Sequence, residues 1–352
     1  MVDWTKSMEQ SFEYYEVDPN TWKDIKLIDN IKSCTLSRDN SSDTLGSASI
    51  DIVDSVGECY IRVYLVTIQN GVKEKHPLGT YLVQTPSSKF DGKNRSVTMD
   101  AYTPLLELKE NPVPLGYALL KEENIMSQAY RITRENCRAP VIETKSETKL
   151  LTDFVSNTDD NWLTYTRDLI AQAKYSFDVN EMGQILFAPN QNAEELQPVY
   201  TFNDDNSSIL YPEITLNHDL YGIPNVVEVI GDTGTDTYCA RVENNDPNSL
   251  TSIPRRGREI LHRITDPDLP GYPTKEQLDE YAEEVLKELS SVEYEISYSH
   301  GYCPVRVGDC VRLNYKKADL LDVKAKVISQ SIKCEAGCSV SEKATFTRKL
   351  WK

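Results

Sequence analysis

Alternating apolar and polar residues along the first hundred positions predict antiparallel β-structure. In the segment SASIDIVD, Ala48, Ile50 and Ile52 alternate with polar residues, the two-residue period of a half-buried strand. The run CYIRVYLVTI (59–68) is apolar on one face, and its other face is also too apolar to be fully exposed to solvent. Asn70-Gly71 then gives a strong hairpin signal. Further strands at 80–85 and 96–100 complete the pattern of an antiparallel barrel or sandwich.

From residue 101 to about 175 the apolar spacing changes to that of helices. Apolar residues at three- and four-residue steps predict helices from about 102 to 108, 125 to 137 and 159 to 174. Asp159 and Asp160 are expected at the start of the third helix, where the helix dipole favours acids. The segment 175–189 predicts a β-hairpin.

The second half of the chain predicts strands around one long helix over 274–291. Thr274 and Gln277 form a capping box, and Leu278, Ala282 and Leu286 belong to one apolar stripe. Strands are predicted before this helix at 213–216, 225–230, 238–242 and 258–263, and after it at 292–299, 309–315, 323–334 and 343–351.

Together these elements predict an α+β, mainly β fold. It consists of two antiparallel β-barrel or sandwich domains, a helical insert domain and one long helix near the C-terminus. The expected domains are residues 1–100, a mainly helical 101–190, and 191–352.

The charge balance excludes several functional classes. The 352 residues hold 38 Lys and Arg against 55 Asp and Glu, for a net charge of −17. This balance disfavours nucleic-acid binding and attachment to an anionic membrane. No apolar run approaches the roughly 20 residues of a membrane span, and the N-terminus does not resemble a signal peptide. We therefore expect synthesis in a cytosol and no membrane anchor. Residues 303–352, with 11 bases and 5 acids, reverse the sign.

Catalytic and metal-binding signatures are sparse. The sequence has no HExxH, GxSxG, P-loop or GxGxxG, and its four histidines are not paired on one helix face. His300 precedes Gly301, where turn chemistry is the simpler interpretation. The eight cysteines are expected to be reduced thiols. Their local cluster of Cys303, Cys310, Cys334 and Cys338 leaves open whether these cysteines pair or bind a metal. We predict that the protein is not an enzyme and has no cofactor.

Three stretches together resemble bacteriophage tail baseplate hub proteins. They are LYGIPNVVEVIGD (220–232), ITDPDLPGYPTKEQLDEYAEEVLKELSS (264–291) and VRVGDCVRLNY (305–315). LGTYLVQTPSS (78–88) followed by SVTMDAYTPLLELKE (96–110) agrees more loosely. Similar hubs occur in phage-tail-like bacteriocins, and the sequence does not separate an infectious phage from a bacteriocin or a contractile from a non-contractile tail.

The resemblance implies a homotrimeric ring with two tail-tube-like barrels in each protomer. Such a ring joins the sixfold tail tube to the threefold central spike and leaves a channel through which DNA passes as cargo. The implied partners are the tail tube protein, the spike protein, other baseplate proteins and the tape measure protein. The implied location is the virion tail baseplate, assembled in the bacterial host cytoplasm. The alternatives are a tail-tip assembly or carbohydrate-binding module and, as a third possibility, a wall hydrolase.

We expect partner contacts at three charged surface segments. The first is the hairpin at residues 70–75, the second is the polar loop at about 244–257 with its flanking arginine, and the third is the hairpin at 316–322. The candidate contact residues are Asn70, Lys73, Lys75, Arg255, Arg256, Arg258, Lys316 and Lys317.

Overall fold

The computed structural model describes residues 2–53, 57–90, 92, 95–206, 208–265, 267–269 and 273–351. Parts of the quoted segment 264–291 lie outside these residues. The chain divides into two compact units. The first unit contains residues 1–214 and 298–344, and the second contains 215–297 and 345–352. The predicted division at residues 100 and 190 is a different one and stays a prediction.

In the described residues the first unit begins with seven strands, some of which alternate in burial along their length. They are β1 (Glu9–Val17), β2 (Asp24–Leu27), β3 (Ile31–Asp39), β4 (Gly46–Ile52), β5 (Tyr60–Gln69), β6 (Val72–Phe90) and β7 (Arg95–Tyr102). Their order in the sheet is β3-β4-β7-β6-β5-β1-β2, with antiparallel neighbours throughout. Ile50, Leu65 and Met99 are fully buried in its core, as the two-residue period predicts.

A mainly helical segment follows in the same unit. It contains α1 (Leu105–Glu110), β8 (Ala118–Leu119), α2 (Ile125–Asn136), β9 (Phe154–Val155), α3 (Trp162–Ala171), β10 (Tyr175–Val179) and β11 (Ile185–Pro189). Its helices and the β10–β11 hairpin share a core that includes Ile125, Leu169 and Phe187. The predicted hairpin at 175–189 is confirmed.

In the part of the chain that the structure describes, the remaining elements are nine strands and two α-helices, besides a 3₁₀ turn at Lys316–Ala318. They are β12 (Pro198–Asn203), β13 (Leu210–His218), β14 (Val226–Asp232), β15 (Thr237–Glu243), α4 (Ile253–Arg256), β16 (Leu261–Ile264), α5 (Lys275–Leu289), β17 (Ser291–Gly301), β18 (Cys310–Tyr315), β19 (Leu320–Lys333) and β20 (Ser339–Lys349). In the first unit, β19 pairs antiparallel with β3 and with β18, and β18 pairs in parallel with β12. Among the described strands the order from β19 to β2 is an open path.

The second unit packs α5 against a three-stranded sheet. The sheet order is β15-β14-β16, with β14–β16 parallel. Leu278, Ala282 and Leu286 of α5 are fully buried against this sheet, which confirms the predicted apolar stripe. Gly231 of β14 allows the close approach, because a Cβ there would lie 2.7 Å from Cδ2 of Leu278.

Both faces of β5 are covered, as its composition predicts. Residues 60–67 are all buried, and Arg62 is 1% exposed. The guanidinium donates to Oδ1 of Asp24 at 2.7 Å and to Oγ1 of Thr80 at 2.9 Å. It also donates to the carbonyl oxygen of Met182 at 3.1 Å. A buried charge is therefore satisfied by β2, β6 and the β10–β11 turn together.

The α+β, mainly β class is confirmed, while several boundaries differ from prediction. The third helix begins at Trp162 because Asn161 caps it: Asn161 Oδ1 accepts from Thr164 N at 2.9 Å. The expectation that Asp159 and Asp160 occupy its first turn is wrong. Instead, Asp160 accepts from the backbone N of Asn157. The capping box of α5 is confirmed.

Candidate functional site: partner-contact surfaces

The β5–β6 hairpin ends in a two-residue turn at Asn70 and Gly71. Both residues have positive φ, 52° and 78°, as a type I′ turn requires. Gln69 ties the turn to the N-terminal segment through two 2.9 Å hydrogen bonds with the backbone of Asp3. The exposed tip presents Ile68 (38% exposed) and Val72 (59%). The sequence analysis predicts contacts through the lysines of this hairpin and does not identify these two apolar side chains.

Lys73 and Lys75 of this hairpin bind Glu13 on β1. Their Nζ atoms lie 3.1 and 2.7 Å from the two carboxylate oxygens. Lys75 Nζ also lies over the Tyr15 ring, 4.3 Å from its centroid. The hydrogen bond from Lys75 lowers the pKa of Glu13 to about 2. Both lysines therefore stabilise the hairpin on β1, and a partner would have to compete with Glu13 for them.

The loop from 244 to 257 is ordered around two fully buried asparagines. Asn244 Nδ2 donates to Ser249 Oγ at 2.9 Å, and its carbonyl accepts from Ile253 N at 3.0 Å. Asn225 Oδ1 accepts from Ile260 N at 2.7 Å, and its Nδ2 donates to the carbonyl of Arg258. The Asn225 side chain thus pairs with the backbone of residues 258 and 260, while the Asn244 side chain pairs within the loop.

The three arginines of this loop have different environments. Arg256 donates to the carbonyls of Ile223 and Leu220 at 2.7 and 2.8 Å, and desolvation followed by the charge of Arg258 lowers its pKa. Arg255 and Arg258 are exposed. Arg256 therefore fixes the loop, whereas the other two arginines are accessible to an acidic partner.

The β18–β19 hairpin places Lys316 and Lys317 in an exposed 3₁₀ turn. Leu321, near the start of β19 in the same hairpin, is 60% exposed. Asp322 N donates to Asn314 Oδ1 at 2.8 Å, which holds the hairpin closed.

A further apolar surface, which we call the apolar ribbon, was missed in the sequence. It lies on the outer side of β8 and β9 and the residues that flank them, where Ala118 pairs with Val155. Its side chains are more than half exposed, at 80%, 60%, 84% and 56% for Leu115, Leu120, Leu151 and Val155. In the sequence these residues are isolated, and only the pairing of β8 with β9 relates the segment around Leu120 to the segment around Val155.

The first unit also contains a buried polar centre on β17, β19 and β20. His300 is fully buried, so the interpretation as turn chemistry is wrong, and its Nε2 lies 3.3 Å from Oε1 of Glu342. Tyr298 Oη donates to Glu342 Oε2 at 2.5 Å, and Gln330 donates to Oε1. Burial by itself raises the pKa of Glu342, but His300, Tyr298 and Gln330 together hold it below its ordinary value. Tyr298 on β17 and Gln330 on β19 thus donate to a buried carboxylate on β20.

The polar centre continues towards the surface through two arginines. Arg38 donates to Gln330 Oε1 at 3.0 Å and lies 3.3 Å from Glu181, which in turn lies 2.8 Å from Arg306. Arg306 also contacts Asp178 at 3.1 Å. The network connects β3, β19 and β20 with the β10–β11 hairpin, so its evident role is to hold these elements in register.

The clustered cysteines separate in the structure. Cys303 lies 3.8 Å from His300, and Cys310 contacts the carbonyl of Ala193 at 3.7 Å. Cys334 and Cys338 lie in the first core with Cys34. Within the described ranges no group of three His, Cys, Asp or Glu side chains is arranged to hold a metal ion. None of the helices described there is long and apolar enough to cross a membrane.

Comparison with solved structures relates the whole chain to known folds. The tail protein from Neisseria meningitidis MC58 is similar, with a TM-score of 0.61 and 9% identity over 97% of this chain and 98% of that one. The 43 kDa tail protein of prophage MuSo2 from Shewanella oneidensis has a TM-score of 0.58 and 10% identity over 96% and 98%. The chain has the fold of phage tail proteins.

A chain of the Francisella PdpA–VgrG complex is also similar, with a TM-score of 0.52 and 8% identity. The likeness covers 98% of this chain and 53% of that one. No protein-family model and no curated protein sequence matches the chain. The fold therefore agrees with the resemblance to tail hubs, and at these identities the likeness concerns the fold.

Proposed function

We propose that the protein is a structural hub of a phage or phage-like tail. It forms a homotrimeric ring in the baseplate that adapts the sixfold tail tube to the threefold central spike. The observation that carries the proposal is the likeness to two tail proteins over nearly the full length of all three chains. A likeness limited to one small domain would support this function much less than a likeness over the whole chain, because one fold can serve many functions.

The exposed surfaces support a role in assembly. The apolar ribbon, the Val72 tip and Leu321 each expose large apolar side chains, which mark protein contacts when they cluster. Exposed basic side chains favour specific docking of acidic partner surfaces. On this protein they are Arg255, Arg258, Lys316 and Lys317. The proposed partners are the tube protein, the spike protein, other baseplate proteins and the tape measure protein.

DNA is proposed to pass through the ring as cargo. The net charge of −17 is suited to a channel wall that does not retain phosphates. The proposed location is the tail baseplate of the virion, with assembly in the bacterial host cytoplasm. A ring whose lumen is lined by basic residues would contradict the channel proposal.

The oligomeric state tests the hub proposal directly. Light scattering coupled to gel filtration is expected to give three times the 40.0 kDa mass of one chain, and negative-stain images are expected to show rings. A purified tube protein is expected to bind the ring. A monomer at micromolar concentration that binds no tube protein would contradict the proposal.

A charged substitution in the apolar ribbon examines its place in the ring. Leu151→Asp is expected to leave the circular dichroism spectrum unchanged, since Leu151 is 84% exposed, and to yield monomers. Tyr221→Ser, at a residue 93% exposed in the second unit, is the matched control and is expected to leave the trimer intact. If the Leu151→Asp variant is still a trimer, the apolar ribbon does not belong to the interface between protomers of the ring.

A further inference from the structure

Two buried cysteines lie directly opposite each other on neighbouring strands. The register of β3 with β19 pairs Thr35 with Lys333 and Leu36 with Ile332, so the next pair is Cys34 with Cys334. The backbone N of Cys334 donates to the carbonyl of Cys34 at 2.9 Å, which confirms this pairing beyond the end of β19.

The geometry of this pair suits a disulfide. Directly opposed residues of a hydrogen-bonded antiparallel pair have Cα atoms about 5.5 Å apart. Disulfides join residues with Cα separations of roughly 4.4–6.8 Å. The Cys34 side chain is the largest influence on the Cys334 thiol, and with burial it raises the pKa of that thiol. The two thiols therefore interact within the core.

The surroundings of the pair determine how a reagent would reach it. Cys34 is 3% exposed and Cys334 is 8% exposed, while residues 335–337, which follow directly, are exposed. Cys338 is also buried, and burial raises the pKa of its thiol. Opening of the short 335–337 turn would expose Cys334 before Cys34.

We propose that Cys34 and Cys334 form a modification site at which a small disulfide oxidant, of the glutathione disulfide class, generates an intrachain disulfide. The Cys334 thiolate attacks one sulfur of the oxidant, forms a mixed disulfide and releases one glutathione thiolate. The Cys34 thiolate then attacks the Cys334 sulfur and releases the second. Two protein thiols lose two electrons and two protons, and one glutathione disulfide becomes two glutathione thiols.

The disulfide would close a loop of about 300 residues, because β3 and β19 are remote in sequence. Linking residues so far apart restricts the unfolded chain strongly. The reducing poise of a cytosol keeps both thiols reduced. Burial slows the reaction because it keeps the oxidant away and raises the pKa of the attacking Cys334 thiol, whose thiolate is the reactive form. The bond would therefore form after the protein leaves a reducing compartment and would hold the two strands together.

Peptide mapping tests the proposal on the full chain. The protein is incubated with glutathione disulfide, remaining thiols are blocked with N-ethylmaleimide in denaturant, and the chain is cut with trypsin. We expect SCTLSR (33–38) linked to CEAGCSVSEK (334–343). The second peptide carries two cysteines, so the link is expected to persist in Cys338→Ala and to disappear in Cys334→Ala. Cys239→Ala removes an exposed thiol and is expected to change nothing.

A thermal measurement gives an independent readout. The oxidised protein is expected to melt at a temperature higher by about 5 °C or more, reversibly with dithiothreitol. Cys334→Ala is expected to show no such difference between oxidised and reduced samples. Two results of the peptide mapping would overturn the proposal. One is that Cys34 and Cys334 are still free thiols, and so blocked by maleimide, when glutathione disulfide has reacted completely with the exposed Cys239. The other is a disulfide found only between Cys334 and Cys338.

Discussion

Replacing Asp24 by alanine is expected to destabilise the β1–β2–β5 region by leaving the Arg62 guanidinium without its carboxylate. The side chain of Arg62 is 2% exposed and that of Asp24 is 27% exposed, and their atoms lie 2.7 Å apart. Removing one partner of a buried ion pair costs about 3–5 kcal/mol. Because Asp24 is partly solvated, we expect the lower end, about 3 kcal/mol. The hydrogen bond from Tyr64 Oη to Asp24 at 2.8 Å is lost as well.

Native-state hydrogen exchange is the suitable assay, because the chain has two units and a single unfolding curve would combine them. A loss of about 3 kcal/mol corresponds to roughly a hundredfold faster exchange of the β5 amides. Lys73→Ala is the control, because its partner Glu13 lies at the surface and such a pair contributes about 0–1 kcal/mol. A change of less than about fivefold in Asp24→Ala would refute the idea that this carboxylate compensates the buried charge.

Three further variants probe other parts of the molecule. Because Lys75 lowers the pKa of Glu13 from 4.5 to about 2, Glu13→Gln is expected to lower the melting temperature at pH 7 and to have a much smaller effect near pH 2, where the folded-state carboxylate is partly protonated; an equal loss at both pH values would contradict this. Gly231→Val, which forces a side chain into α5, is expected to destabilise the second unit by about 1–3 kcal/mol, measured by native-state hydrogen exchange of the β14 amides, and unchanged exchange would contradict the tight packing. Asn244→Ala is expected to make the 244–257 loop a tryptic cleavage site in the folded protein, and resistance equal to wild type would show that the buried amide is dispensable.

Elements with local signals were predictable from the sequence. The long helix α5 combines a capping residue, Thr274, with an apolar stripe, and both signals lie within 16 residues. The same holds for the turn at Asn70, whose dipeptide specifies its own conformation. In contrast, β2 has four exposed residues and no alternation in burial, so its sequence carried no strand pattern.

Contacts between distant segments were not predictable. The partner of His300 is Glu342, and one acid among 55 cannot be selected without the fold. Arg256 is a predicted contact residue because its segment is polar, and the fold adds hydrogen bonds to the carbonyls of Ile223 and Leu220 that the sequence does not indicate. The cysteine spacing directed attention to four local thiols, whereas register places Cys334 beside Cys34. The contact residues stay a prediction until partners are tested.

The position of β3 has a consequence for synthesis on the ribosome. One edge of β3 pairs with β4, which follows it at once, while the other edge pairs with β19, which begins at Leu320. At about 5–20 residues per second, that edge waits roughly 15–60 s for its partner. During this time a nascent chain exposes an edge that another copy could pair with. Concentrated synthesis, as from a polysome, would therefore favour chaperone engagement before the last strands are complete.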